Sequence, residues 1–223
     1  FDTNEQHLAI SRGTGAETHI ASGELVSLFP DRKDHDHDAL GVEIRRQHGL
    51  EPSFLTREQL LERDPHLGPG YTFGAVFGDC KWLTSPAEYV AALFRHYRTR
   101  GGDFRQARVA DIAPGPSPKV TLEGGDVMTA DKVVLAAGAW SAKLAKQVGV
   151  KVRLEAERGY HISIYAPSHM PPNPYMVADG KFVVTPMDGF LRAAGVVEFA
   201  GVDAAASEAP VRLIERGLKK LYP

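Results

Sequence analysis

The chain has 223 residues, 43 % hydrophobic and 24 % charged, enough for one large or two small packed domains. A net charge of −2, with Lys and Arg scattered, argues against a nucleic-acid surface, which needs concentrated basic charge. The single cysteine, Cys80, excludes an internal disulfide, and no apolar run is long enough to span a bilayer.

The chain opens on Phe1 with no leader pattern and stops on a helical pattern at Leu221-Tyr222-Pro223, so both ends are expected to be cut. Residues 25–29 are predicted to form a short strand. Residues 34–48 are predicted as one helix: acids fill its first turn, Arg45, Arg46 and His48 its last, and Gly49 offers a left-handed stop. Thr56 and Gln59 form a capping box for a short helix ending before Pro65. The clearest helix is capped by Ser85, with Pro86 in its first turn and Glu88 completing the box. Val90, Leu93, Phe94 and Tyr97 share one face of it, and Gly101-Gly102 ends it.

Short strands are expected at 104–112 and 119–122, with Gly124-Gly125 as a two-residue hairpin turn. Residues 132–137 are continuously apolar, which predicts a strand buried on both faces. It leads through Gly138 into a helix at 141–148. A meander follows, with strands at 160–165, 175–178, 181–185 and 190–198. Asp179-Gly180 and Asp188-Gly189 supply tight turns, and residues 167–174 form a Pro-rich loop. Ser207 caps a last helix with Val211, Ile214, Leu218 and Leu221 on one side. This order gives an α+β fold. Residues 84–150 read as part of a nucleotide-binding layer. Residues 1–83 and the antiparallel sheet of 151–205 read as a substrate-facing part, and 206–223 as a helix leading onward.

The strongest local signal is the run Val133-Val134-Leu135-Ala136-Ala137-Gly138-Ala139-Trp140-Ser141. A strand ends in small residues that let backbone approach a ligand closely, and a helix begins at Ser141, where free N–H groups suit a phosphate. The alternative is a tight strand-to-helix packing turn.

An ordered set of segments resembles the D-amino-acid oxidase-like flavoproteins, a family that includes glycine and sarcosine oxidases and D-amino-acid dehydrogenases. Gly78-Asp79-Cys80-Lys81-Trp82-Leu83-Thr84-Ser85-Pro86 resembles the entry to the family's long helix. Gly101-Gly102-Asp103-Phe104 with Ala107-Arg108-Val109 resembles the strand whose valine backbone meets the adenine. Residues 134–141 resemble the second flavin-contacting turn. Glu157-Arg158-Gly159-Tyr160-His161 resembles the segment near the substrate end of the flavin, and residues 186–195 the paired strands over its ring.

The resemblance implies FAD as cofactor, with Val109, Ala136, Ala137, Gly138, Trp140 and Ser141 contacting it. It implies hydride transfer from the carbon bearing an amine, a small amine or amino acid as substrate, and oxygen or a quinone as electron acceptor. The expected location is the cytoplasm, or the inner face of a membrane for a dehydrogenase. Arg158, Tyr160, His161 and Arg192 are the polar side chains expected on the substrate side. Arg158 or Arg192 can hold a carboxylate in bidentate fashion, and each is equally readable as a solvated charge at a sheet edge. His161 also reads as a hydrogen-bonded core histidine.

Two family hallmarks are absent from the sequence: the Gly-x-Gly-x-x-Gly that holds the pyrophosphate, and the late Arg-Pro segment that pairs with a substrate carboxylate. Gly13-Thr14-Gly15 is no substitute, lacking the third glycine and a preceding apolar strand. The chain is therefore expected to be the middle portion of the enzyme, holding FAD weakly or not at all and inactive alone. Two competing readings are a stand-alone small-molecule binding or interaction domain and a metal-dependent hydrolase using Asp34-His35-Asp36-His37-Asp38. His35 and His37, two apart, fall on different faces of a helix, so no metal site is expected there. Cys80, without a nearby histidine, reads as a structural thiol.

Overall fold

A computed structural model describes residues 2–223. Among these, the chain begins with α1 (Thr3–Ser11), β1 (Ile20–Phe29), α2 (Arg32–Asp36), α3 (Ala39–Gln47), β2 (Ser53–Thr56), α4 (Arg57–Arg63), β3 (Phe73–Leu83) and α5 (Pro86–Thr99). It continues through β4 (Val109–Ala113), β5 (Lys119–Leu122), β6 (Val127–Thr129), α6 (Ser141–Gln147), β7 (Glu157–Tyr165), β8 (Tyr175–Val177), β9 (Phe182–Pro186), β10 (Phe190–Phe199) and α7 (Ala209–Leu221). Short 3-10 turns occupy Ala16–His19 and Gly138–Trp140.

Two units emerge. The first holds the chain up to Gly101 with Gly159–Val196 and Ser207–Pro223; the second holds Gly102–Arg158 and Val197–Ala206. These divisions differ from the expected ones at residues 84 and 150. α5 goes with the first unit because Tyr89 and Ala92 bury themselves against Ala16.

The first unit is built on a seven-stranded sheet in the order β2-β3-β1-β8-β9-β10-β7. β1 is antiparallel to β3 and parallel to β8, and β8, β9 and β10 follow antiparallel, so the sheet is mixed and the fold is α+β. Side chains alternate across a strand. One face collects Val26 and Leu28, Tyr175 and Val177, Phe182 and Val184, Leu191 and Ala193, and Tyr160. Leu60 of α4 and Ile214, Leu218 and Leu221 of α7 close over them as the core. Gly217 in mid-helix lets α7 seat closely: a Cβ there, or at Gly180, would run into the fully buried ring of Phe182.

A buried carboxylate fastens this layer. Asp64, just past α4, has no solvent exposure. The Tyr222 hydroxyl donates to its Oδ2 at 2.8 Å and the His66 backbone N–H to its Oδ1 at 3.1 Å. His169 Nε2 lies 2.9 Å from Oδ1, off the line of a hydrogen bond, and its ring stacks on His66 at 4.2 Å. Burial, followed by the charge of Asp64, pushes the phenols of Tyr175 and Tyr222 well above their ordinary 10.0.

Several expected elements differ in the structure. The helix at 34–48 is two helices, because Asp31 and Asp38 each cap a start by accepting the N–H of Asp34 and Gly41. Gly49 does take the left-handed stop, at φ +72°. β1 starts five residues earlier than the expected 25–29 because β3, an eleven-residue strand that was not expected, pairs along its whole length. The Thr56–Gln59 capping box is formed, whereas Ser85 makes no capping hydrogen bond and Pro86 alone opens α5. Ser207 does not cap α7 with its side chain; its N–H donates to Tyr160 Oη at 2.9 Å. Residues 132–137 form no strand, and Val134 is 87 % exposed. A strand buried on both faces needs a neighbour on each side, and among the described residues none lies beside it.

Asp64→Ala is expected to cost about 2–4 kcal/mol, since it strands the Tyr222 hydroxyl and the His66 backbone N–H, while Tyr222→Phe costs about 1 kcal/mol. Urea unfolding measures both. Tyr175 and Tyr222 hold their protons more tightly folded than unfolded. Stability is therefore full below pH 10 and falls as pH rises past it, where the unfolded phenols ionise and the native ones do not. Tyr222→Phe should make that alkaline decline shallower. Gly217→Ala, which would help an exposed helix by up to about 1 kcal/mol, is expected instead to destabilise by about 1–3 kcal/mol through the clash with Phe182.

Candidate functional site

With one sheet face closed by α4 and α7, the remaining side chains of the strands point to the other face. Over β1 and β3 that face is partly roofed by α2 and α3. His35 is buried there among the rings of Phe29, Phe54 and Phe73, at 5.2, 5.2 and 5.5 Å, with Nδ1 2.9 Å from Asp36 Oδ1. A cavity of about 410 Å³ remains beneath the roof, between Leu25, Ala75, Phe77 and Met176 of the strands and Arg45 and Leu50 above. His37 lines a neighbouring groove with Asp34 and Asp38. Among the described residues, no group of three His, Cys, Asp or Glu is placed to hold a metal.

Over β9, β10 and β7 the same face stays half-buried or exposed. Alternation places Arg192 and Ala194 here, because Leu191 and Ala193 are in the core, and it places His161 here, because Tyr160 and Ile162 face the core. Arg192 pairs across the ladder with Thr185 and Ala194 with Val183. The Arg192 Nε is shut off from solvent and has no hydrogen-bond partner among the described residues.

The four residues expected on the substrate side therefore separate. Arg192 and His161 share the open face. Tyr160 is buried on the opposite face, where its hydroxyl accepts the Ser207 N–H. Arg158 falls in the second unit, donates to the Ala204 carbonyl and stands 3.9 Å from Glu198. Period-two alternation separates Tyr160 from His161 as a matter of geometry, so adjacent residues of a strand cannot both face one ligand.

The second unit carries the other candidates. Val109 opens β4, which pairs with β5 and β6 in a three-stranded antiparallel sheet, and its side chain is exposed. α6 is tied to β4 by Gln147 Nε2, which donates to the Ala110 carbonyl at 3.0 Å. Gly138 adopts φ +54°, and a Cβ there would meet nothing within 4 Å. Trp140 is 66 % exposed and Ala136 is exposed as well. This open, apolar surface fits contact with a planar ligand; a glycine-rich phosphate cradle is not in the sequence. The N–H of Gly13 donates to Glu17 Oε1 at 3.1 Å, so that glycine pair already faces a carboxylate.

Cys80 is half-buried, and burial outweighs the Lys81 charge to push its thiol up, as suits a structural thiol. The sequence reading missed β3 and the cavity it lines. The signal was present: Phe73, Ala75 and Phe77 alternate with small or core residues, but glycines at 74 and 78 masked the strand pattern. No helix among the described residues is long and apolar enough to cross a membrane.

A profile of FAD dependent oxidoreductases (DAO) matches residues 6–223. The chain is 32 % identical over 219 residues to a D-amino-acid oxidase of Bradyrhizobium diazoefficiens, covering 97 % of this chain and 52 % of that protein. It is 28 % identical to a D-amino acid dehydrogenase of Dechloromonas aromatica, covering 92 % and 51 %. The chain thus spans about half the length of the curated relatives it matches. Among solved structures, glycine oxidase from Geobacillus kaustophilus superposes with a TM-score of 0.80 at 21 % identity, covering 100 % of this chain and 60 % of that one. L-proline dehydrogenase from P. horikoshii follows at 0.78 and 15 %, covering 98 % and 61 %. These two likenesses show the fold.

Placement on opposite faces makes a stability contrast. His161→Ala should change unfolding free energy by no more than about 0.5 kcal/mol. Tyr160→Phe should cost about 1 kcal/mol by leaving the Ser207 N–H without its hydroxyl. Equal losses in denaturant unfolding would contradict this assignment of faces.

Proposed function

We propose a function from one premise: the chain belongs to the DAO family of FAD dependent oxidoreductases. It is part of an enzyme that oxidises a small amine or amino acid, of D-amino-acid, glycine or sarcosine type. The similarity to a D-amino-acid oxidase along nearly the whole chain is the observation that carries this reading. FAD, when bound, supplies the acceptor for a hydride equivalent from the carbon bearing the amine.

The residues contribute binding and orientation. Val109, Ala136, Ala137, Gly138, Trp140 and Ser141 offer backbone and apolar surface to the cofactor. The open part of the seven-stranded sheet, with His161 and Arg192, faces the substrate and holds its reacting bond in place, which is where the protein's share of the rate arises. No side chain is required as an obligate base, because an amine in its neutral form can surrender the hydride directly. The electrons pass on to oxygen or to a quinone. The 223 residues alone hold FAD weakly, since they include no Gly-x-Gly-x-x-Gly turn.

The protein encoded by the whole gene should be yellow when purified, and one compound from a panel of glycine, sarcosine and D-amino acids should bleach it without oxygen. A colourless protein that cannot be reconstituted with FAD would sink the proposal. Stoichiometric flavin in the purified 223-residue chain would overturn the statement about weak binding.

A further inference from the structure

The cavity beneath α2 and α3 is built in advance of any ligand. Its roof is held by His35, whose ring packs edge-on against Phe29, Phe54 and Phe73 and whose Nδ1 stands 2.9 Å from Asp36 Oδ1. Its walls are Leu25, Ala75, Phe77 and Met176 of the sheet and Leu50 of the roof. Arg45 at its rim is already answered: it donates to Asp38 Oδ2 at 3.1 Å and lies 6.0 Å from the centre of the Phe77 ring. Apart from the Ser27 hydroxyl, the remaining lining is apolar. At about 410 Å³ the cavity has the size of a small-ligand site, on the order of 300–1,000 Å³, and it offers too few polar partners to hold water well.

Its place on the sheet selects the ligand. Ala75 of β3 is level with Ser27 of β1, Ser27 with Met176 of β8, Met176 with Val183 of β9, and Val183 with Ala194 of β10. The whole row lies on the open face, because Val26, Leu28, Tyr175, Val177, Phe182, Val184 and Ala193 on either side of it are in the core. Neighbouring strands stand about 4.8 Å apart, so Met176 at the cavity lies about 10 Å from Ala194. A substrate seated on the open part of the sheet can therefore extend its side chain along an unbroken floor into the cavity. Glycine and sarcosine have no side chain to place there, and a charged one would lose its water without gaining a free countercharge. An apolar one gains by leaving water. We propose that this cavity is the side-chain pocket of the substrate and makes the enzyme selective for amino acids with long apolar side chains, of leucine, methionine or phenylalanine size, over glycine, sarcosine and alanine. This rests on the amine-oxidising function proposed above.

The test uses the intact flavoprotein, wild type, Ala75→Leu and Leu50→Asp. Two quantities are read: kcat/KM for D-leucine, D-methionine and D-phenylalanine against D-alanine, glycine and sarcosine, and the Kd of straight-chain carboxylates from acetate to hexanoate, by calorimetry. In the wild type, kcat/KM for the long apolar side chains should exceed that for D-alanine by roughly 10- to 100-fold. The carboxylate Kd should fall by about 4-fold for each added methylene. Ala75→Leu fills the cavity and should cut the D-leucine to D-alanine ratio by about 10-fold or more and flatten the carboxylate series. Leu50→Asp, at an exposed position where the fold is not at stake, should lower the ratio in the same direction, and it gives the comparison if Ala75→Leu does not fold. Equal losses for D-leucine and D-alanine in these variants would overturn the proposal. So would a wild type that prefers glycine or sarcosine, or one whose carboxylate affinity does not depend on chain length. A wild-type flavoprotein that turns over no amine or amino acid would sink the functional reading instead, and the carboxylate series with Ala75→Leu would still decide whether the cavity takes an apolar chain.

Discussion

The first unit is governed by a sheet sealed on one face and open on the other. Each strand delivers every second side chain to the α4–α7 layer, where Phe182, Tyr175, Leu28 and Ile214 exclude water. Burying an aliphatic or aromatic side chain contributes on the order of 1.5–3 kcal/mol, and a one-residue register slip would turn the whole set outward. The register is therefore fixed by the core. The identity of the residues on the open face follows from it: once Leu191 and Ala193 are inside, Arg192 has only one place to be.

A second constraint holds the layer in position. Asp64 joins the end of α4, the Pro-rich loop at His169, β8 at Tyr175 and the end of α7 at Tyr222. A buried carboxylate is tolerable only when its lone pairs are used, and here hydroxyl and backbone donors use them. The link spans 158 residues of sequence, from Asp64 to Tyr222, so it closes the fold around the sheet rather than within any one element. Phe182 between Gly180 and Gly217 performs the matching task for apolar contact, since the two glycines remove the atoms that would hold α7 away.

The second unit obeys the same physics with a different outcome. Its three short antiparallel strands satisfy their own backbone groups and need no further partner. The apolar segment from Val133 to Trp140 is unpaired and exposed, with only a 3-10 turn and α6 to order its end. Its composition suits burial, yet its apolar side chains are exposed and the space beside Gly138 is open.

Local chemistry made much of the fold legible from residues alone. The Thr56–Gln59 box, the left-handed Gly49, the Gly189 turn at φ +78° and the helical spacing of Ile214, Leu218 and Leu221 act over a few residues, and each is formed. The ordered family segments likewise needed only sequence. Tertiary structure decided the rest. A strand such as β3, interrupted by glycines, is recognised only when β1 pairs with it along its length. The apolar run at 132–137 has strand composition but no neighbours, and pairing, not composition, makes a strand. Among Arg158, Tyr160, His161 and Arg192, nothing in the residue types ranks one above another. Which of them faces the core, which bonds the Ala204 carbonyl, and which lies on the open face depends on the side of the sheet that the core seals, and that is settled by contacts between residues far apart in the chain.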